Sequence, residues 1–222
     1  MLKKLLYITV NSKPEEMSTS KTVGRQFVNR FLAEDKEYVI EELDLYKDDI
    51  PEANHILFSG RAETVSGDAY NALSEPDKKQ VDRINSLCDQ FIAADTYVIA
   101  APMWSVSFPS RLKRYFDCII LNNKVIKVSP EDIHGLLDDK ERNMVYIQSS
   151  GGVYPKIFNG KFNHGVEYVE DIFKFLGINK FKKILVEGVD MPSVGREAVL
   201  ANAFADVDAV VDALTSDRLI QI

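Results

Sequence analysis

Three short stretches of this 222-residue chain hold side chains able to grip a small ligand. The first links Asn11 and Ser12 to Ser18, Thr19 and Ser20, just ahead of a helical pattern. Hydroxyls there stand beside the unpaired N–H groups of a helix start, which attract an anion such as phosphate. Simple N-capping by Ser18 is the alternative use. The second is Pro102-Met103-Trp104-Ser105-Val106-Ser107. Its thioether and indole offer a flat apolar ligand a surface to lie against; a hydrophobic plug against another loop or subunit is the alternative. The third is Ser149-Ser150-Gly151-Gly152-Val153-Tyr154. Paired glycines let backbone approach a ligand closely, or make a plain turn.

Several chemistries lack their residues. The chain has no G-x-x-x-x-G-K-[ST] of a nucleotide triphosphatase, and no G-x-G-x-x-G after its first strand. It has no G-x-S-x-G nucleophile elbow. His55, His134 and His164 show no metal-binding spacing. Cys88 and Cys118 are the only cysteines and lie far apart in apolar helical patterns, as buried thiols in a cytoplasmic protein would. The net charge of −7 argues against a nucleic-acid partner. No apolar run approaches a membrane span or a signal peptide.

The elements that must position the three stretches follow from hydrophobic periodicity. Lys4–Val10, Tyr38–Leu45, Tyr97–Ala101, Asn143–Gln148 and Phe181–Val189 read as strands. Helices are expected from Ser18 to about Glu34, Pro76 to Ala94, Pro109 to Leu121, Phe162 to Leu176 and Arg196 to Leu214. Pro109 suits a first helical position, and Gly177 a C-terminal cap. Tyr46–Asp77 is irregular, with short helical pieces near Asn54–Phe58 and Ala69–Leu73, and Val125–Val128 is strand-like. Alternating strands and helices over residues 1–222 predict one domain, an α/β three-layer sandwich on a five-stranded parallel sheet. The first and third strands both end in ligand-like loops, so the expected order is 2-1-3-4-5, with the site at the switch point between them.

With those motifs placed, the chain resembles the FMN-dependent NADH:azoreductase and quinone-reductase family of flavodoxin-like proteins over nearly its whole length. The likeness lies in Ser18-x-Ser20, in VIAAPMWSVSFPSRLKRYFD after the third strand, and in SSGGVY after the fourth. It implies tightly bound FMN, a homodimer with sites at its interface, and two-electron transfer from NADH or NADPH to quinones or azo compounds by alternating binding. It further implies that Ser18 and Ser20, with Thr19 and Asn11 or Ser12 beside them, hold the phosphate. Pro102, Met103, Trp104, Ser105 and Val106 would line the isoalloxazine. Ser149, Ser150, Gly151, Gly152 and Tyr154 would close its other edge. The family often carries Asn at position 105, Arg at 150 and His at 154, and its counterpart of Asn122–Asp139 often contains aromatics. With the flavin supplying the redox chemistry, no protein acid or base is expected. Two other readings are a non-enzymatic flavodoxin-type electron carrier, which the long Tyr46–Asp77 segment disfavours, and a hydrolase acting on an acidic carrier, disfavoured by the acidic charge.

Overall fold

The computed structural model describes residues 2–154, 162–193 and 195–219. Strand β1 (Lys3–Thr9) leads through a short 3-10 turn (Glu15–Met17) to helix α1 (Thr19–Glu34) and strand β2 (Tyr38–Asp44). A 3-10 turn (His55–Leu57), the small hairpin β3 (Phe58–Gly60) and β4 (Glu63–Thr64), and helix α2 (Gly67–Asn71) fill the irregular stretch. Helix α3 (Glu75–Ala93), strand β5 (Thr96–Pro102) and helix α4 (Ser110–Ile119) follow. A second hairpin, β6 (Ile126–Val128) and β7 (Ile133–Gly135), precedes β8 (Asn143–Ser149), α5 (His164–Phe175), β9 (Lys180–Val186) and α6 (Arg196–Leu219).

The main sheet runs β2-β1-β5-β8-β9, which in its own strand order is the expected 2-1-3-4-5. All four of its ladders are parallel. Alternation along each strand divides the core. Leu6, Ile8, Tyr97, Ile99, Met144 and Tyr146 pack toward α3, α4 and α5. Leu5, Tyr7, Val98, Ala100, Val145 and Ile147 pack toward α1 and α6. Because β5 and β8 are buried throughout, they read as unbroken apolar runs.

Two features draw α1 onto the switch point. A Cβ at Gly24 would stand 2.6 Å from the Tyr7 hydroxyl and 2.9 Å from the Ala100 Cβ, so only glycine allows this approach. The Tyr7 hydroxyl, kept protonated by burial, donates to the Lys21 carbonyl at 3.1 Å. The start of α1 is thereby fixed above the β1/β5 seam.

Some boundaries differ from expectation. Pro109 lies outside α4 at φ −58° and ψ 143°, and the helix starts at Ser110. Extended ψ at Pro109 keeps it in the cap position. The fifth strand stops at Val186 rather than Val189. Beyond it, the N–H groups of Gly188, Val189 and Asp190 donate to the carbonyls of Gly152, Ser150 and Gly151. That pairing turns the chain away from the ladder and across the glycine loop. Closing helix α6 extends past Leu214 to Leu219. Val125–Val128 is one arm of an antiparallel hairpin outside the main sheet.

Candidate ligand-binding cleft at the switch point

At the carboxyl ends of β1, β5 and β8 lies a cleft of ≈ 420 Å³. Its first wall is the start of α1. Ser18 is the N-cap, and its Oγ accepts from the Lys21 N–H at 3.4 Å and from Asn11 Nδ2 at 2.9 Å. Asn11 Oδ1 in turn accepts from the Lys13 N–H at 3.0 Å, which folds the β1–α1 connection back on itself. With the Lys21 N–H so occupied, the N–H groups of Thr19 and Ser20 are the ones a helix start leaves for a ligand. Lys13 and Arg196 also line the cleft. Two cations at the positive end of a 16-residue helix give this wall groups that could hold a phosphate-sized anion, while the Asp190 carboxylate also lines the cleft.

The second wall is the tip after β5. The Met103 N–H donates to the Ser149 carbonyl at 2.7 Å, tying this tip to the neighbouring strand end. Trp104 and Ser107 exchange both backbone hydrogen bonds, at 3.1 and 2.9 Å, around Ser105 and Val106. These two residues have φ of +49° and +56°, which makes a tight left-handed turn from residues that resist it. Trp104 stands 47 % exposed at the lip, with the Tyr46 ring against it edge-on at 6.4 Å.

The third wall is the glycine loop. A Cβ on Gly151 would fall 2.4 Å from Asp190 Oδ2, so the Asp190 carboxylate occupies the space this glycine leaves. Ser150 Oγ donates to the Gly152 carbonyl at 2.9 Å and shapes the turn.

Comparison with known proteins places the chain that carries this cleft in a family. A family profile described as a flavodoxin-like fold matches residues 3–211. An FMN-dependent NADH:quinone oxidoreductase from Clostridium acetobutylicum is 56 % identical over 211 residues, 95 % of this chain and 96 % of that protein. The chain belongs to the FMN-dependent NADH:quinone oxidoreductase family. A further member, from Clostridium botulinum, is 49 % identical over 96 % of this chain and all of its own length. The crystal structure of an FMN-dependent NADH-azoreductase from Bacillus anthracis in complex with FMN superimposes with a TM-score of 0.83. It is 26 % identical and covers 96 % of this chain and 100 % of that one.

Of the residues that likeness to the quinone oxidoreductase family implied, nine line the cleft: Asn11, Ser18, Thr19, Pro102, Met103, Trp104, Ser149, Ser150 and Gly151. Six do not. Ser12 is exposed beside it. Ser20 is fully buried, its Oγ 3.3 Å from that of Ser18. Ser105 and Val106 form the turn beyond Trp104. The Gly152 carbonyl is taken by Gly188 and Ser150. Tyr154 is 37 % exposed, its N–H on Glu187. Lys13, Met17, Val189, Asp190 and Arg196 line the cleft without having been foreseen. Arg196 reaches it from the other end of the chain, where Nη2 donates to the Glu16 carbonyl at 3.2 Å; no local pattern in the sequence could signal that. Val189 lies in the part of the expected fifth strand that the structure turns across the glycine loop, and Asp190 follows it.

Both cysteines are buried free thiols, bonded to the carbonyls of Ile119 and Pro51. Burial pushes each up to about 12, so neither is a ready nucleophile. Among the described residues no helix is long and apolar enough to cross a membrane, and no acidic, His or Cys cluster could hold a metal.

Proposed function

We propose that this chain is an FMN-dependent oxidoreductase that passes two electrons from NADH or NADPH to quinones or azo compounds, the two substrates using one pocket in turn. The observation that carries this reading is the division of a single cleft. One end presents a helix start with Lys13 and Arg196; the other presents the flat apolar wall of Met103 and Trp104. A ring system bearing a phosphate at the end of a short tail is complementary to both ends. The activities for which the relatives are named agree with it and lend the non-enzymatic electron carrier no support.

In this reading Ser18, with the N–H groups of Thr19 and Ser20, holds the phosphate, and Asn11 fixes the Ser18 hydroxyl. Trp104, Met103 and Pro102 bound the ring system, while Ser149 to Gly151 approach its other edge through backbone. Bound FMN supplies the capacity to take up and release two electrons with a proton. The chain's own residues bind and orient, shield the ring from water, and leave one open side for either substrate. We further assign a homodimer: Met17 and Trp104 at the cleft, with Val153 and Tyr154 after the glycine loop, leave large apolar side chains exposed. Two free buried thiols suit a reducing compartment, the cytoplasm.

The purified protein should be yellow, with flavin absorption bands that persist through gel filtration as a dimer. Double-reciprocal plots at several fixed quinone concentrations should be parallel. Intersecting lines would rule out a shared pocket, and a colourless protein unable to take up FMN would sink the reading itself.

A further inference from the structure

The turn at Ser105 and Val106 is built from unsuitable residues. Valine is β-branched, and a β-branched side chain at positive φ is a genuine outlier. Such a conformation persists only where its surroundings over-determine it. The two hydrogen bonds between Trp104 and Ser107 close the turn but do not say where it stands. The Met103 N–H on the Ser149 carbonyl ties the base of the tip to β8, and the turn itself meets a further element far along the chain.

We propose that the first turn of α5 positions the Trp104–Ser107 tip against the cleft, through the His164 N–H and the absent side chain of Gly165. Asn163 caps this helix, its Oδ1 accepting from the Val166 N–H at 3.3 Å. His164 is therefore the first helical residue, and its N–H is one of those a helix cannot satisfy internally. That N–H donates to the Val106 carbonyl at 3.0 Å, the carbonyl of the more strained residue. Next to it, a Cβ on Gly165 would lie 3.0 Å from the Ser107 carbonyl carbon and 3.2 Å from its oxygen. Those atoms are backbone and cannot swing aside as a side chain would. Gln148, at 2 % exposure, adds a long contact from below, with Nε2 3.5 Å from the Ser107 oxygen. Its Oε1 has no hydrogen-bond partner among the described residues. The helix that supplies the contacts is itself rigidly seated, with Val166, Val169 and Phe173 in the core. Gly165 and His164 are thus positioning residues for the indole wall. The imidazole of His164 has no part in this; only its backbone donor does. The consequence for flavin chemistry rests on the function proposed above, whereas the bracing of Trp104 does not.

Trp104 is the only tryptophan, so its emission reports the tip directly. Gly165→Ala forces the Ser107 backbone away by a few tenths of an ångström. His164→Pro deletes the donor where proline suits a helix, and His164→Ala keeps it. Gly60→Ala is the control, since a Cβ there meets nothing closer than 3.9 Å. In the FMN-free protein, Gly165→Ala and His164→Pro should shift the Trp104 emission maximum and change its quenching by acrylamide; His164→Ala and Gly60→Ala should not. A flavin ring beside the indole should quench Trp104 emission, and in the FMN-loaded enzyme the same two variants should lose part of that quenching. Their kcat should fall about tenfold with KM for NADH little changed, a fraction of the ~10²-fold that a 1 Å misplacement can cost. Unchanged Trp104 emission in folded Gly165→Ala and His164→Pro overturns the assignment. So does loss of folding in either, because a positioning contact leaves the core intact. Were the wild type to bind no FMN while Gly165→Ala still altered Trp104 in the bare protein, the flavin reading would fall and the bracing would stand.

Discussion

The loops after β1 and β5 face one another across the cleft and are made by opposite means. The β1–α1 loop ends in a favoured arrangement: a serine N-cap, an asparagine that fixes it, and a helix start with donors to spare. Its polar side chains are buried, Ser18 at 1 % and Ser20 at 0 %. A part-buried ion pair, Lys21 Nζ to Asp44 Oδ2 at 3.0 Å, fastens its first helical turn to the end of β2. The β5–α4 loop ends in a disfavoured one, two non-glycine residues at positive φ carrying an exposed indole. An anion is held by donors that the backbone supplies cheaply at any helix start. The ring wall proposed for Trp104 needs a large side chain at one place and angle, and backbone strain at Ser105 and Val106 accompanies it there.

Asp44→Ala is the strongest way to break this contrast. It strips Lys21 of its counter-charge and frees the Tyr46 N–H, which donates to Asp44 Oδ1 at 3.0 Å. Lys21, itself buried, is left without its partner, which costs about 3 kcal/mol and is worth roughly 2–4 °C of melting temperature per kcal/mol in a chain of this size. A melting temperature that does not move would mean the first loop is not anchored by this pair.

Ser18→Ala comes next. It removes a hydroxyl proposed to face a charged phosphate, at about 1.5–3 kcal/mol of FMN affinity, and an N-cap worth about 1 kcal/mol of stability. Riboflavin, which has no phosphate, should bind the variant as it binds the wild type. Ser20→Ala should leave FMN affinity nearly intact, because that side chain faces Ser18 rather than the cleft. Equal losses for FMN and riboflavin would put the phosphate elsewhere.

Val106→Gly sharpens the contrast from the other side. Glycine adopts positive φ freely, so the variant should gain about 1 kcal/mol against urea after the entropic cost of glycine is deducted, while kcat falls. A loss of stability would show that the tip is not strained. The smallest effect belongs to Trp104→Ala, which should weaken FMN by about 0.5–1.5 kcal/mol without changing the melting temperature. Trp104→Tyr should cost less. Wild-type emission that ignores FMN through a full titration would remove the indole from the site.

Much of this was open to a reader of the sequence. KLLYITV, TYVIAA and NMVYIQ are the buried strands they look like, and Ser18 is the N-cap that its place before a helical pattern suggests. The residues that the sequence placed wrongly or missed share a physical cause. Whether Ser18 or Ser20 faces the cleft depends on a rotation of the first turn, which Tyr7 and Gly24 decide from beneath. Asp190 enters because β9 ends early, where backbone hydrogen bonds to the glycine loop replace the ladder.

Periodicity and capping are local, so the chain alone determined its strands and helices, while the order of the sheet was legible only through the loops that follow the first and third strands. Family motifs, also local, named FMN. Arg196 beside Glu16, His164 and Gly165 beneath the tip, and Asp190 in the space left by Gly151 are contacts between segments far apart in sequence. Such contacts depend on where whole helices and loops are seated, and side-chain pattern carries no record of that seating; only the tertiary structure decided them.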